Sequence, residues 1–97
     1  MKTRYDHDKA ISVVGMVINR WDPFSLLAIG APEDEFDSEI ASIAAQIPLI
    51  ASRTDAVHAV SRVFSVAFDP DTFAPEHCSE VGHQLYDALV DANLIDP

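Results

Sequence analysis

Basic residues are scarce in this chain of 97 residues: Lys and Arg number 6 against 16 Asp and Glu, a formal net charge of −10. Such a balance repels nucleic acid and anionic membrane, which argues against a direct nucleic-acid binder or a protein held to lipid by charge. Cysteine occurs once, at Cys78, so no disulfide can close within the chain. The three glycines are isolated, which leaves no Gly-rich phosphate loop and no nucleophile elbow. Long apolar runs are missing too; none approaches the roughly 20 residues that span a bilayer. The N-terminal "MKTRYDHDK" is polar and lacks the apolar stretch of a signal peptide. These absences set the expectation of a cytoplasmic protein without membrane contact.

What is present is enough to fold. Hydrophobic residues make up 48% of the chain, which removes it from the disordered class and allows one modest core in one domain, residues 1–97. Apolar residues recur at helical spacing in four segments. The first runs from about Asp8 to Arg20, with Ala10, Val14, Val17, Ile18 and Trp21 on one face. Its "ISVVGMVI" also suits a buried strand, but such a strand would have no partner elsewhere, so a helix is expected. Asp22-Pro23 ends it, because the residue before proline is pushed out of the α region. The second segment carries Ile40, Ile43, Ala44 and Ile47 and stops near Gln46, ahead of Pro48. In the third, Thr54 is the expected N-cap, and Val57, Val60, Val63, Phe64, Ala67 and Phe68 form the apolar face. "DPDTFAP" breaks it. The fourth is expected to open with Pro75 at its first position and Glu76 in its first turn. Cys78, Val81, Leu85, Ala88, Leu89 and Ala92 face inward, and Glu76, Glu80, His83 and Asp87 face outward.

The predicted fold is therefore all-α: a compact bundle of about four helices with a long ordered loop between the first two. That loop contains the apolar "FSLLAIGA", expected to pack over the core with a helical turn at residues 25–29.

The densest chemical signal is "APEDEFDSEI", where Glu33, Asp34, Glu35, Asp37 and Glu39 follow one another with no base nearby. Helix capping explains part of it. Asp34 can cap the N–H of Asp37, or Asp37 that of Ile40, and Glu35 or Glu39 then sits where the helix dipole favours negative charge. Phe36 can pack inward as a staple. A calcium loop has the right oxygen chemistry but would need a glycine and more length. Among His7, His58, His77 and His83 no pair has the spacing of a metal-binding helix. Cys78 belongs to an apolar face, which suits a buried, inert thiol. No catalytic constellation, cofactor motif or metal set emerges, so a non-enzymatic protein is expected. Recognition remains. Glu33, Asp34, Glu35 and Glu39, with Glu76, Glu80 and Asp87, form a candidate negative surface for a Lys/Arg-rich partner. Phe24, Leu26, Leu27 and Phe73 are its candidate apolar anchors, where exposed.

"WDPFSLLAIGAPEDEFDSEI", Trp21 to Ile40, resembles a pattern in the YugE-like domain of unknown function, a family of small bacterial proteins. "VFSVAFDPDTFAPEHC", Val63 to Cys78, is similar to the same family's third-helix end and fourth-helix start. The resemblance implies a four-helix bundle in which Trp21 and Phe36 pack, Asp22-Pro23 stops a helix, and Asp34 or Asp37 caps the next. Pro48 and the sparse lysines depart from the pattern. It also implies a likeness to immunity proteins of bacterial toxin and contact-dependent inhibition systems. The expected function is thus an immunity or antitoxin-like protein, monomer or weak dimer, that binds a cationic toxin domain such as a nuclease. The alternative is a non-catalytic adaptor or homodimer.

Overall fold

A computed structural model of the chain describes residues 7–23, 28–32 and 34–96. Glu33, the candidate anchors Phe24, Leu26 and Leu27, and most of the turn expected at residues 25–29 lie outside the described residues. Within them the protein is all-α, with helices α1 (His7–Trp21), α2 (Asp37–Ala45), α3 (Arg53–Ala67) and α4 (Ser79–Asp91). Short 3-10 turns at Ile47–Leu49 and Pro75–His77 lead into the last two helices.

Each helix end has a local cause. At the end of α1, Asp22 takes a left-handed φ of 46°, a conformation that Asp tolerates better than most residues. Its Oδ2 accepts from Ala28 N at 3.1 Å, which turns the connection back on itself. The start of α2 differs from the sequence expectation. Neither Asp34 nor Asp37 caps it through its side chain; the N-cap is Phe36, whose carbonyl accepts from Ile40 N at 2.8 Å. Asp34 contributes its backbone carbonyl instead, accepting from Asp37 N at 3.1 Å. The reason is competition for one position: Phe36 is fully buried, and seating its ring in the core fixes where the helix begins. Gln46 closes α2, and Pro48 lies in the 3-10 turn beyond it.

Ser52, not Thr54, caps α3. Its extended backbone lets Oγ accept from Asp55 N at 3.1 Å, while Asp55 Oδ2 accepts from Ala51 N at 2.9 Å. The exchange resembles a capping box, and the second acceptor is what selects Ser52. Pro75 opens the 3-10 turn rather than α4, which begins at Ser79. The other end of α4 closes with Asn93 at φ 61° and paired bonds from Asn93 N to Val90 O (3.0 Å) and Leu94 N to Leu89 O (2.9 Å). That is a Schellman arrangement with Asn in place of Gly.

The helices pack as a ring: α1 on α2, α2 on α3, α3 on α4, and α4 back on α1. Hence α2 and α4 lie across a diagonal. An aromatic cluster sets the direction of each helix. Trp21, at the end of α1, meets Phe64 and Phe73 with ring centroids 5.1 and 5.8 Å apart. Phe36, at the start of α2, lies 6.0 Å from Phe64, which is near the end of α3. Phe73, just before α4, lies 5.2 Å from Phe64. The ends of α1 and α3 and the starts of α2 and α4 therefore share one pole, giving an up-down-up-down bundle. Phe73 is 3% exposed, so it is a core residue and not a surface anchor. Its carbonyl accepts from Ser61 Oγ at 2.6 Å, from Ser65 Oγ at 3.3 Å and, weakly, from Cys78 Sγ at 3.6 Å. These contacts tie the α3–α4 connection to both helices.

The core follows the apolar faces read from the sequence, with two differences. Ala67 and Phe68, at the end of α3, are exposed, although the Phe68 ring still stacks on Phe64 at 5.7 Å. Gly82 of α4 is buried against α3, with no room for a side chain.

Candidate functional site

The up-down topology gathers acidic residues from four separate stretches at the aromatic pole. Asp22 closes α1. Asp34, Glu35, Asp37 and Glu39 lead into and begin α2. Asp69 and Asp71 lie in the α3–α4 connection, and Glu76 and Glu80 lie at the 3-10 turn and first turn of α4. Among the described residues these stretches hold no Lys or Arg; Arg20, in the last turn of α1, lies beside them. Asp34, Asp37, Asp71, Glu76 and Glu80 are exposed, and Glu35, Glu39 and Asp69 are half-buried. Two helix N-termini point to this pole, so their dipoles favour the carboxylates there and offset part of the mutual repulsion.

Sequence reasoning singled out Asp34, Glu35, Glu39, Glu76 and Glu80, and all five share this pole. They do not share a side face, because α2 and α4 are diagonal neighbours. The negative surface is thus a cap over the bundle end. Asp87 is elsewhere. It lies beyond the middle of α4, where Oδ1 accepts from Arg53 Nη2 at 2.9 Å and Nε at 3.2 Å. That pair is exposed on both sides, and it balances the charge of Asp87. Asp69 and Asp71 were not selected from the sequence, where they read only as helix breakers. Their signal was positional: in an up-down bundle the α3–α4 connection returns to the end where α2 starts. Asp69 Oδ2 accepts from Thr72 Oγ1 at 2.5 Å and from Thr72 N at 3.1 Å. These bonds, the hydroxyl first, hold its carboxyl below the ordinary value of 3.8 and keep it charged in mild acid.

Among the structural motif residues, Pro23 and Phe36 are buried, and Trp21, half-buried, edges against Phe64 and Phe73. These three build the pole from inside. Val66 and Ile29 are 85% and 76% exposed, and Phe68 is partly exposed, so the acidic cap also carries apolar surface.

Among the described residues, grooves run between adjacent helices. The α1–α4 groove, about 290 Å³, is lined by Arg20, Trp21, Glu80 and Gln84. The α1–α2 groove, about 490 Å³, holds Gly15, Met16, Asn19 and Asp37, and the buried Asn19 Oδ1 has no hydrogen-bond partner. The α2–α3 groove, about 320 Å³, is lined by Glu39, Ser42 and Gln46 against Val63, Val66 and Ala67. Cys78 is fully buried, and desolvation pushes its thiol up to about 11, a value unsuited to nucleophilic work. Among the described residues no group of three His, Cys, Asp or Glu is placed to hold a metal ion, and no helix is long and apolar enough to cross a membrane.

The model of a protein family described as a domain of unknown function (DUF1871) matches residues 13–91, from within α1 to the last residue of α4. No curated protein and no solved structure matches the chain.

Proposed function

We propose, for a chain that belongs to the DUF1871 family, a role as a small non-enzymatic inhibitor that binds a cationic protein through its acidic pole. In its specific form this is an immunity or antitoxin-like protein in the cytoplasm, and its target is a basic toxin domain such as a nuclease. The observation that carries the reading is the convergence of Asp34, Asp37, Asp71, Glu76 and Glu80 on one bundle end, with Arg20 as the opposing charge. Carboxylates so gathered stand in for the phosphates that a Lys/Arg-rich active site binds. They match Arg forks and Lys charges alike. Binding through such a cap is fast and weakens with salt. The likeness to immunity proteins that the family resemblance implies adds support.

A co-expression rescue tests it. The product of the gene immediately upstream is induced alone and then with this protein, and surviving cells are counted. Death alone and survival together support the role. Absence of toxicity, or no salt-dependent binding between the two purified proteins, refutes it. The exposed Val66, Ile29 and Leu49 favour a second reading, an adaptor or homodimer. Sedimentation separates the two: a tight dimer insensitive to salt supports the adaptor.

A further inference from the structure

The acidic pole accounts for charge but not for Val66. This is the most exposed large hydrophobic residue among those described, at 85%, and it lies in the α2–α3 groove beside Val63 and Ala67. The facing wall, from α2, is polar: Glu39, Ser42 and Gln46. The antiparallel helices order the groove. At its polar end Glu39 lies near Val66 and Ala67, close to the acidic cap. At the far end Arg62 Nη1 donates to Gln46 Oε1 at 2.8 Å, so that guanidinium is already engaged. The groove therefore has an apolar strip along one wall, a negative charge at one end and a positive charge at the other.

We infer that the α2–α3 groove seats an amphipathic basic helix of the partner. Its apolar residues lie on Val63, Val66 and Ala67, and its Lys or Arg residues are turned toward Glu39 and the acidic cap. The inference rests on the reading of a cationic partner and names the element that this partner presents. Charge complementarity selects the occupant. An apolar helix without basic residues would leave Glu39 desolvated and unpaired, and an acidic one would be repelled by Glu39 and the cap. Helices that lie in such grooves use anchors at i, i+3 or i+4, and i+7, which suits a strip one to two turns long. The Arg62 end favours the partly negative C-terminus of the incoming helix, which fixes its direction.

The test uses a fluorescently labelled helical peptide of lysine, leucine and alanine, with leucines at i, i+4 and i+7. Its control is a scrambled peptide of equal charge. Anisotropy is measured with the wild type and with Val66→Asp, Val66→Gln, Glu39→Gln and Asp87→Asn. Val66 is so exposed that its variants keep the fold, which unchanged melting verifies. The expected result is preference for the patterned peptide and a loss of about tenfold or more with Val66→Asp and Val66→Gln. Glu39→Gln weakens binding, and Asp87→Asn, away from the cap and paired with Arg53, leaves it nearly unchanged. Val66→Asp is the sharp variant, because it adds negative charge. If attraction were purely electrostatic, it would tighten the peptide. Tightening, equal binding of the scrambled peptide, or no binding overturns the inference. Equal, salt-sensitive binding of both peptides leaves the acidic-cap reading standing while the groove falls. Groove binding without toxin rescue does the reverse.

Discussion

Replacing Gly82 with alanine puts a methyl group where α4 lies against α3. Its Cβ would sit 2.5 Å from Val57 Cγ2, 2.6 Å from Val57 Cα and 2.8 Å from Val57 N. Two of these atoms are backbone, so no rotamer change relieves the contact. The helices must move apart by roughly 1 Å to reach ordinary van der Waals distance, and a gap of that size forfeits about a quarter to a half of the dispersion between facing atoms. The residues that lose it are Val60, Phe64, Val81, Leu85 and Leu89, all buried along these two helices. With each of these five side chains stabilising the fold by about 1.5–3 kcal/mol, forfeiting a quarter of that costs about 2–4 kcal/mol. Alanine returns about 1 kcal/mol through its better helix propensity. The net destabilisation is then about 1–3 kcal/mol, a fall in Tm of roughly 5–20 °C for a domain of this size. Gly15→Ala is the internal control. Its nearest neighbours are Ile40 Cδ1 at 3.7 Å and Cγ2 at 3.9 Å, an ordinary contact. The propensity term wins there, and the variant is more stable by about 0.5–1 kcal/mol. Urea unfolding followed by circular dichroism and by Trp21 fluorescence reads both. The reasoning fails if Gly82→Ala melts at or above the wild type, or if the two substitutions shift stability in the same direction.

Other consequences follow from single contacts. Ser52→Ala removes the side-chain cap of α3 and costs about 1 kcal/mol, whereas Asp34→Ala, which removes no cap bond, changes stability by less than about 0.5 kcal/mol; paired urea titrations compare them. Arg53→Ala breaks the ion pair to Asp87, but both partners are more than half exposed, so the loss is under about 1 kcal/mol and shrinks in high salt. The folded thiol of Cys78 holds its proton up to about 11, above the ordinary 9.0. Between those values the unfolded chain binds fewer protons than the native one, so this contribution to stability is full below pH 9 and is lost as pH rises toward 11. Melting of Cys78→Ala against wild type across that range checks the sign, and alkylation of native protein at neutral pH should be slow. Thr72→Val removes the hydroxyl bond to Asp69 and moves its carboxyl back toward the ordinary range, which a carboxyl-carbon NMR titration reads.

Much of the bundle was legible along the chain because a helix shows its buried face as a period in the sequence. Ala10, Val14, Val17 and Ile18 mark α1, Ile40, Ile43, Ala44 and Ile47 mark α2, and Val81, Leu85 and Leu89 mark α4, all as expected. The stops at Asp22-Pro23 and before Pro48 were also local, since proline acts on its immediate neighbours. Caps were less secure. Ser52 and Thr54 have equivalent hydroxyls, and the choice between them came from the reciprocal bond of Asp55 to Ala51. At α2 the acidic candidates lost to Phe36, whose position answers to Phe64 on another helix.

Residue types alone determined that the chain is acidic, helical and poor in catalytic motifs, because composition and periodicity are local properties. The tertiary structure decided which charges act together. It moved Asp87 out of the candidate surface by giving it Arg53 as a partner, and it brought Asp69 and Asp71 in through the returning α3–α4 connection. It buried Phe73, left Val66 outside, and brought Gly82 against the backbone of Val57. Each of these depends on which helices are neighbours and which way they run, and that is settled only when the aromatic rings of four segments close around Phe64.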